Sequence, residues 1–172
     1  NDAFQYLINP IYRYEGTVAR LMGDGILAFF GAPIAHEDDP RRAILAGLDI
    51  LEAIGHYGQE ICRRWGLTSF DVRIGINTGL VVTARTAPKD GSFDLSGDTV
   101  NLASRLADLA HPDEILVGPE THRQAFGYFD FTAKPSVPIK GKAHATTVWA
   151  VAGEKDRPAT AQRNLSMSAA FI

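Results

Sequence analysis

The alternation of apolar and polar positions predicts a helix followed by a hairpin at the start of this chain. Apolar side chains recur at helical spacing over residues 3–14. Two apolar runs, residues 17–22 and 26–30, then flank Gly23-Asp24-Gly25. Apolar runs on either side of Asp-Gly are typical of two strands joined by a tight turn, so a hairpin is expected here.

A long helix and a second pair of strands are predicted next. Asp38-Asp39 before Pro40 is typical of a helix start, with aspartate as the cap and proline in the first turn. Apolar residues on one face extend this helix to near Gly66. Alternation over residues 70–77 and an apolar run at 80–84 predict a second hairpin.

The remaining pattern predicts two more helices and three strands. A helix is expected at residues 98–110, a strand at 114–117 and a short helix at 119–125. Late strands are expected at residues 128–132 and 147–152. Helices grouped with hairpins favour an α+β fold, with a mostly antiparallel sheet and helices on one of its faces.

Length and composition favour one ordinary globular domain. The 172 residues are 45% apolar and 22% charged, and we assign residues 1–152 to the domain and 153–172 to a linker or disordered tail. Cys62 is the single cysteine, which indicates a reducing, cytoplasmic compartment. Without a long apolar stretch or a basic run, a membrane span and a nucleic-acid partner are not expected.

The first candidate for chemistry is Asp24 in the predicted turn. Asp-Gly is common in plain hairpins, so a turn without further function is one interpretation. The other is a metal ligand, because two small neighbours leave the carboxylate open to a phosphate-bound Mg²⁺. Mg²⁺ is usually held by one or two carboxylates together with substrate phosphates.

Two further segments carry side chains that suit phosphates. Asn101 and Arg105 are four residues apart and share a helix face, and a guanidinium fits phosphate oxygens. Lys140-Gly-Lys142 could hold a triphosphate. Taken singly, each segment also has a plainer interpretation. The first is typical of a solvated helix face, and the second is typical of a surface turn.

Together, these segments resemble the catalytic domain of class III adenylate and guanylate cyclases. The resemblance rests on Arg20-Leu-Met-Gly-Asp-Gly25, Arg73-Ile-Gly-Ile-Asn-Thr-Gly79, Gly97-Asp-Thr-Val-Asn-Leu-Ala-Ser-Arg105 and Ile139-Lys-Gly-Lys142. The segments follow the family's order at about its spacing. The resemblance covers residues 3–152 and implies the ferredoxin-like nucleotidyl cyclase fold.

The resemblance implies a set of roles for these residues. Asp24 matches a metal-binding aspartate of a site for two Mg²⁺ or Mn²⁺ ions. Asn101 matches the asparagine that orients the ribose, and Arg105 matches the arginine that stabilises charge on the α-phosphate. Lys140 matches the lysine that binds the terminal phosphates.

The resemblance also implies a nucleotide. Arg20 and Asp94 fall where the family holds its base-selecting pair, which is usually Lys and Asp in members that use ATP. Asp94 can accept from the exocyclic amine of adenine, and Arg20 still donates although it departs from Lys. GTP-using members have Glu at the position of Arg20, so ATP is expected.

The implied enzyme is a homodimer that makes cyclic AMP and pyrophosphate, because each site of the family takes residues from two protomers. Domains of this kind are commonly fused to regulatory or ATPase modules. The family's opening strand, which carries its first metal-binding aspartate, has no counterpart here, and Asp2 precedes a helix. We therefore expect the chain as given to be impaired and its sheet to lack a strand.

Two other functions are compatible with the sequence. A catalytically inactive cyclase-like module that dimerises and transmits a signal is favoured by the missing aspartate and by Val81-Val-Thr-Ala-Arg85, which departs from the family's glycine-rich segment. A palm-like nucleotidyl transferase acting on nucleic acid is disfavoured by the net charge of −3.

Overall fold

The chain forms four helices and eight strands in the part that the computed structural model describes, which is residues 2–85, 93–139 and 143–155. The elements, in chain order, are α1 Asp2–Arg13, β1 Thr17–Met22, β2 Gly25–Phe29, α2 Asp39–Trp65, β3 Arg73–Ile76, β4 Val82–Arg85, β5 Phe93–Ser96, α3 Asp98–Leu109, β6 Glu114–Val117, α4 Pro119–Ala125, β7 Phe129–Val137 and β8 Thr146–Glu154. The α+β class is confirmed.

The predicted second hairpin is wrong. β3 does not pair with β4 but runs parallel to β6, as part of a four-stranded sheet in the order β3-β6-β8-β7. β4 pairs instead with β5, a strand that the sequence pattern did not reveal. The alternating pattern marks each strand but does not specify its partner, which depends on long-range packing.

Helices pack on both faces of this sheet, not on one. In β6, Ile115 and Val117 contact Ile44 of α2, whereas Leu116 between them contacts Leu106 of α3. Successive side chains of a strand point to opposite faces, so α2 and α3 lie on opposite sides of the sheet. All five of these side chains are less than 5% exposed.

The β1–β2 hairpin forms a two-stranded sheet of its own, which packs against α1 and α2. Its side chains share an apolar cluster with Ile11 of α1 and with Ile50, Ile54 and Ile61 of α2. Ile74 of β3 packs against the same cluster. Among the described strands, no ladder joins β2 to β3.

The ends of α2 lie close to the predicted residues, but its start is stabilised differently. Asp38 occupies the cap position without making the expected bond to the backbone; it accepts from Arg42 Nε at 2.8 Å. Gly66 adopts the left-handed conformation (φ 66°) that ends the helix. Within the described ranges, no helix has both the length and the apolarity to cross a membrane.

Candidate active site

The β1–β2 turn presents Asp24 to solvent. Met22 pairs with Gly25, so Gly23 and Asp24 form the two-residue turn, and Gly23 has a positive φ of 45°. A side chain on Gly23 would meet nothing within 4 Å. Asp24 is exposed and has no ion-pair partner among the described residues. Its carboxylate is therefore open to a ligand from outside the chain.

Arg20 lies on the same hairpin, next to an irregularity in the ladder. The pairing of β1 with β2 shifts between Val18 and Arg20, so Ala19 is an extra residue on β1. Such bulges alter the direction of nearby side chains and are frequent beside functional sites. Ala19 is buried whereas Arg20 is exposed. The bulge thus accompanies the change from buried to exposed positions along β1.

Strand β5 contacts both the β1–β2 hairpin, through β1, and helix α3. Asp94 stands on this strand opposite Ala84 of β4, although its side chain lies outside the described part. The strand that carries Asp94 therefore adjoins the strand that carries Arg20.

Helix α3 presents Asn101 and Arg105 on its free face. Leu102 and Leu106 attach the helix to the sheet and are 4% and 0% exposed. Asn101 and Arg105 are both exposed and have no side-chain partner among the described residues. The helix thus combines a buried apolar side with an open amide and guanidinium one turn apart.

Strand β3 holds α3 at unusually short range. A Cβ on Gly75 would overlap the backbone of Ala103 and would lie 2.9 Å from Leu106 Cβ. Just beyond the strand, Asn77 Nδ2 donates to the carbonyl oxygen of Thr99 at 3.1 Å. Sequence reasoning assigned no role to Asn77; the glycine inside strand β3 was the available signal of close packing.

A groove of about 410 Å³ opens beside the start of α3. Asp98 and Glu120 supply two carboxylates to its lining, and Thr146 is a buried hydroxyl residue within it. Hydrogen bonds from Arg123 and then Gln124 lower the pKa of Glu120 to about 2, so it is charged at neutral pH. Two carboxylates disfavour a polyphosphate in this groove.

Asp24 fits a divalent metal ion only as part of a larger ligand set. The described part of the chain holds no group of three His, Cys, Asp or Glu side chains that could bind a metal. A hard cation such as Mg²⁺ is nevertheless often held by one or two carboxylates plus substrate phosphates. The open carboxylate of Asp24 suits that arrangement.

The predicted site residues thus fall into two groups. Arg20, Asp94, Asn101 and Arg105 stand on the adjoining elements β1, β5 and α3. Asp24 lies at the turn of the β1–β2 hairpin, and among the described residues no hydrogen bond or ion pair links it to α3. Lys140 lies outside the described residues.

Comparison with known proteins gives consistent matches. Residues 2–152 match the adenylate and guanylate cyclase catalytic domain. Adenylate cyclase 1 of Rhizobium meliloti (strain 1021) is 28% identical over 159 residues, covering 89% of this chain and 23% of that protein. The chain spans 14% to 23% of the length of the first two curated relatives.

Solved structures agree with the sequence matches. The guanylyl cyclase Cya2 superposes with a TM-score of 0.82 at 30% identity, covering 91% of this chain and 80% of that chain. The adenylyl cyclase CyaB from P. aeruginosa superposes with a TM-score of 0.79 at 25% identity, covering 92% and 81%. These two structures represent both nucleotide specificities.

Proposed function

Because this chain belongs to the adenylate and guanylate cyclase catalytic domain family, we propose that it forms the catalytic domain of an adenylate cyclase. The reaction would convert ATP to 3′,5′-cyclic AMP and pyrophosphate at a homodimer interface, for signalling in the cytoplasm. One observation carries the proposal: the elements that carry Arg20, Asp94, Asn101 and Arg105, namely β1, β5 and α3, are neighbours in the fold.

The chemistry needs positioning and charge rather than a protein nucleophile. The ribose 3′ oxygen attacks the α-phosphorus in line, loses its proton, and the bond to the pyrophosphate oxygen breaks. Asn101 orients the ribose, and Arg105 stabilises the charge that develops on the α-phosphate. Lys140 binds the terminal phosphates. Mg²⁺ or Mn²⁺, when bound, neutralises phosphate charge and favours ionisation of the 3′ hydroxyl.

The preference for ATP rests on Arg20 and Asp94. The carboxylate of Asp94 accepts a hydrogen bond from the exocyclic amine of adenine, and Arg20 donates to a ring nitrogen. Guanine presents a carbonyl where adenine presents that amine, so it would face the Asp94 carboxylate without a donor. The adjoining positions of β1 and β5 support this assignment.

The homodimer is supported by exposed apolar residues in and before β4. Leu80, before β4, is 94% exposed, and Val82 within β4 is 67% exposed. Apolar side chains this exposed and this close in sequence favour contact with another protein surface. A second copy that covers them would bring its own Asn101 and Arg105 toward Asp24.

The alternative is a cyclase-like module that binds without catalysis. It is favoured by one observation, that Asp24 is the sole metal-binding carboxylate we assign among the described residues. A fused regulatory or ATPase domain is a further proposal, based on the small share of the relatives' length that the chain spans.

The test is product formation by the full-length protein and its variants. Cyclic AMP and cyclic GMP are measured with ATP or GTP in the presence of Mg²⁺ or Mn²⁺. Asp24→Ala and Arg105→Ala should each abolish cyclic AMP formation, because they remove metal binding and transition-state charge. Both residues are exposed, so each substitution should change the free energy of unfolding by no more than about 0.5 kcal/mol.

Asp71→Ala and Arg63→Ala are the matched controls, since both residues are exposed and lie outside the proposed site. They should retain activity. Near-normal activity of Asp24→Ala or Arg105→Ala would contradict the site assignment. ATP binding without turnover in the unsubstituted protein would favour the inactive module, and a preference for GTP would overturn the roles of Arg20 and Asp94.

A further inference from the structure

We propose that Asn77 is a positioning residue, which fixes the first turn of α3 and thereby sets Asn101 and Arg105 for the reaction. This inference rests on the proposed cyclase function. It assigns a task to a side chain that touches neither substrate nor metal in the scheme above. The contacts that hold α3 at its N-terminal end support this proposal.

The start of α3 lacks the usual side-chain cap. Gly97 occupies the cap position with φ 120°, and no side chain at that position bonds the helix backbone. The side chains of Ser96 and Asp98, which flank Gly97, do not bond the helix backbone in the described structure either. Contacts other than a side-chain cap therefore hold the first turn of α3.

Asn77, just beyond β3, attaches the start of α3 to the neighbouring part of the sheet. Its Nδ2 donates to the carbonyl oxygen of Thr99, two residues before Asn101. Its Oδ1 lies against Gly118 so closely that a Cβ there would overlap it. The amide of Gly118 in turn donates to the Ile76 carbonyl at 3.0 Å. The Asn77 side chain is thus confined between the end of β6 and the start of α3.

The residues on either side of Asn77 bring the helix into contact with the strand. Gly75 allows the backbone of α3 to lie directly on β3, and a Cβ on Gly79 would lie 2.6 Å from Thr99 Oγ1. Within β3, Gly75 alternates with Ile74 and Ile76, which face α2. The Asn77 bond therefore fixes the helix at a point where packing already limits sliding.

Asn101 and Arg105 depend on this attachment because they have no side-chain partners of their own among the described residues. Their positions follow the helix backbone alone. A displacement of about 1 Å at a reacting group can lower turnover by as much as about 100-fold. A small movement of the first turn would thus affect the transition state more than the binding of ATP.

The experiment compares Asn77→Asp with the unsubstituted full-length protein. Aspartate has the same shape, but it loses the donor and places a carboxylate against the Thr99 carbonyl. We expect kcat with ATP to fall about 10-fold to 100-fold while KM changes by less than about 3-fold. Asn9→Asp, at an exposed position of α1, is the matched control and should leave both constants unchanged.

A double substitution separates positioning from general stability. Because Asn77 is proposed to set both Asn101 and Arg105, Asn77→Asp should lower kcat by less in an Asn101→Ala background, where only Arg105 is left to be misplaced, than in the unsubstituted protein. The same fold-loss in both backgrounds would overturn the inference, and so would an unchanged kcat in the single variant.

Hydrogen exchange provides a readout that does not depend on activity. In Asn77→Asp, the amides of the first turn of α3 should exchange faster while those of β7 and β8 are unchanged. Faster exchange throughout the sheet would indicate a merely structural role and overturn the inference. If the unsubstituted protein makes no cyclic nucleotide, the proposed function fails; if it does and Asn77→Asp equals it, only this inference fails.

Discussion

At the scale of single residues, the side chains of the candidate site differ from those that hold the fold. Asp24, Asn101 and Arg105 are exposed and unpaired among the described residues, so they are free to bind a ligand. Glu114 of β6 shows the opposite case. It accepts from the His111 amide at 2.8 Å and forms an ion pair with Lys134 Nζ at 2.9 Å.

These contacts make Glu114 sensitive to pH. Burial alone would raise the pKa of its carboxyl group, but the bonds from His111 and Lys134 outweigh burial, and the pKa is lowered from 4.5. A carboxyl group whose pKa is lower in the folded state stabilises that state above the unfolded pKa. This contribution is lost as the pH falls through the folded pKa.

We therefore expect Glu114→Gln to reduce the free energy of unfolding at about pH 7 by about 1 to 2 kcal/mol. The difference from the unsubstituted protein should shrink as the pH falls below 4.5, the pKa of the unfolded chain, and through the lower pKa of the folded state. Urea unfolding at about pH 7 and at a pH below the folded-state pKa of Glu114 measures this difference in the free energy of unfolding. Glu60→Gln, at an exposed position of α2, is the control. A deficit that does not vary with pH would contradict the electrostatic explanation.

At the scale of elements, the packing of α3 on β3 is the contact that carries the candidate site. Leu102 and Leu106 attach α3 to the sheet, and Gly75 provides the space for its backbone. The approach is so close that no other residue fits at this position without moving the helix. By contrast, Gly55 in α2 has nothing within 4 Å of where its Cβ would lie.

This contrast predicts opposite effects of the same substitution. Gly75→Ala should destabilise the protein by about 1 to 3 kcal/mol, because the added methyl group overlaps the α3 backbone. Gly55→Ala should stabilise it by up to about 1 kcal/mol, because alanine is favoured over glycine inside a helix. Denaturant unfolding of both variants gives the two values. Equal stability of Gly75→Ala and the unsubstituted protein would show that α3 does not lie this close to β3.

At the scale of the whole molecule, the parts of the proposed site lie on different elements of the chain. Asp24 is at the end of the β1–β2 hairpin, whereas Asn101 and Arg105 are on α3. The exposed Leu80 and Val82 offer a surface for a second copy. If that copy completes the site, each dimer has two sites, and each site takes Asp24 from one protomer and α3 from the other.

Mixing two inactive variants tests this arrangement. Asp24→Ala and Arg105→Ala should each be inactive alone. A mixed dimer of the two holds one site with both defects and one intact site. Random pairing of equal amounts should therefore restore about one quarter of the unsubstituted activity.

The measurement is cyclic AMP formation after the two full-length variants are co-expressed or exchanged. The control mixes two samples of the same variant in the same way, and it should stay inactive. A mixture no more active than the separate variants would place Asp24 and Arg105 in the same protomer's site or in no common site.

The sequence by itself determined most elements and the chemistry of the candidate residues. β1, β6 and α4 were predicted with their observed bounds, and α1 and α3 within about one residue, because apolar spacing, Asp-Gly and proline act locally. The motif Gly97–Arg105 likewise indicated the family, which the comparisons bear out. The roles of Arg20, Asp24, Asp94, Asn101, Arg105 and Lys140 remain proposals.

Only the tertiary structure decided which elements meet. The sequence predicted that β3 pairs with β4, but β3 pairs with β6, and the strand that pairs with β4 was missed because its four residues carry little pattern. The placement of α2 and α3 on opposite faces and the attachment of Thr99 by Asn77 were also not predicted. These contacts join residues distant along the chain, and their geometry depends on the packing of the whole domain, which no local pattern encodes.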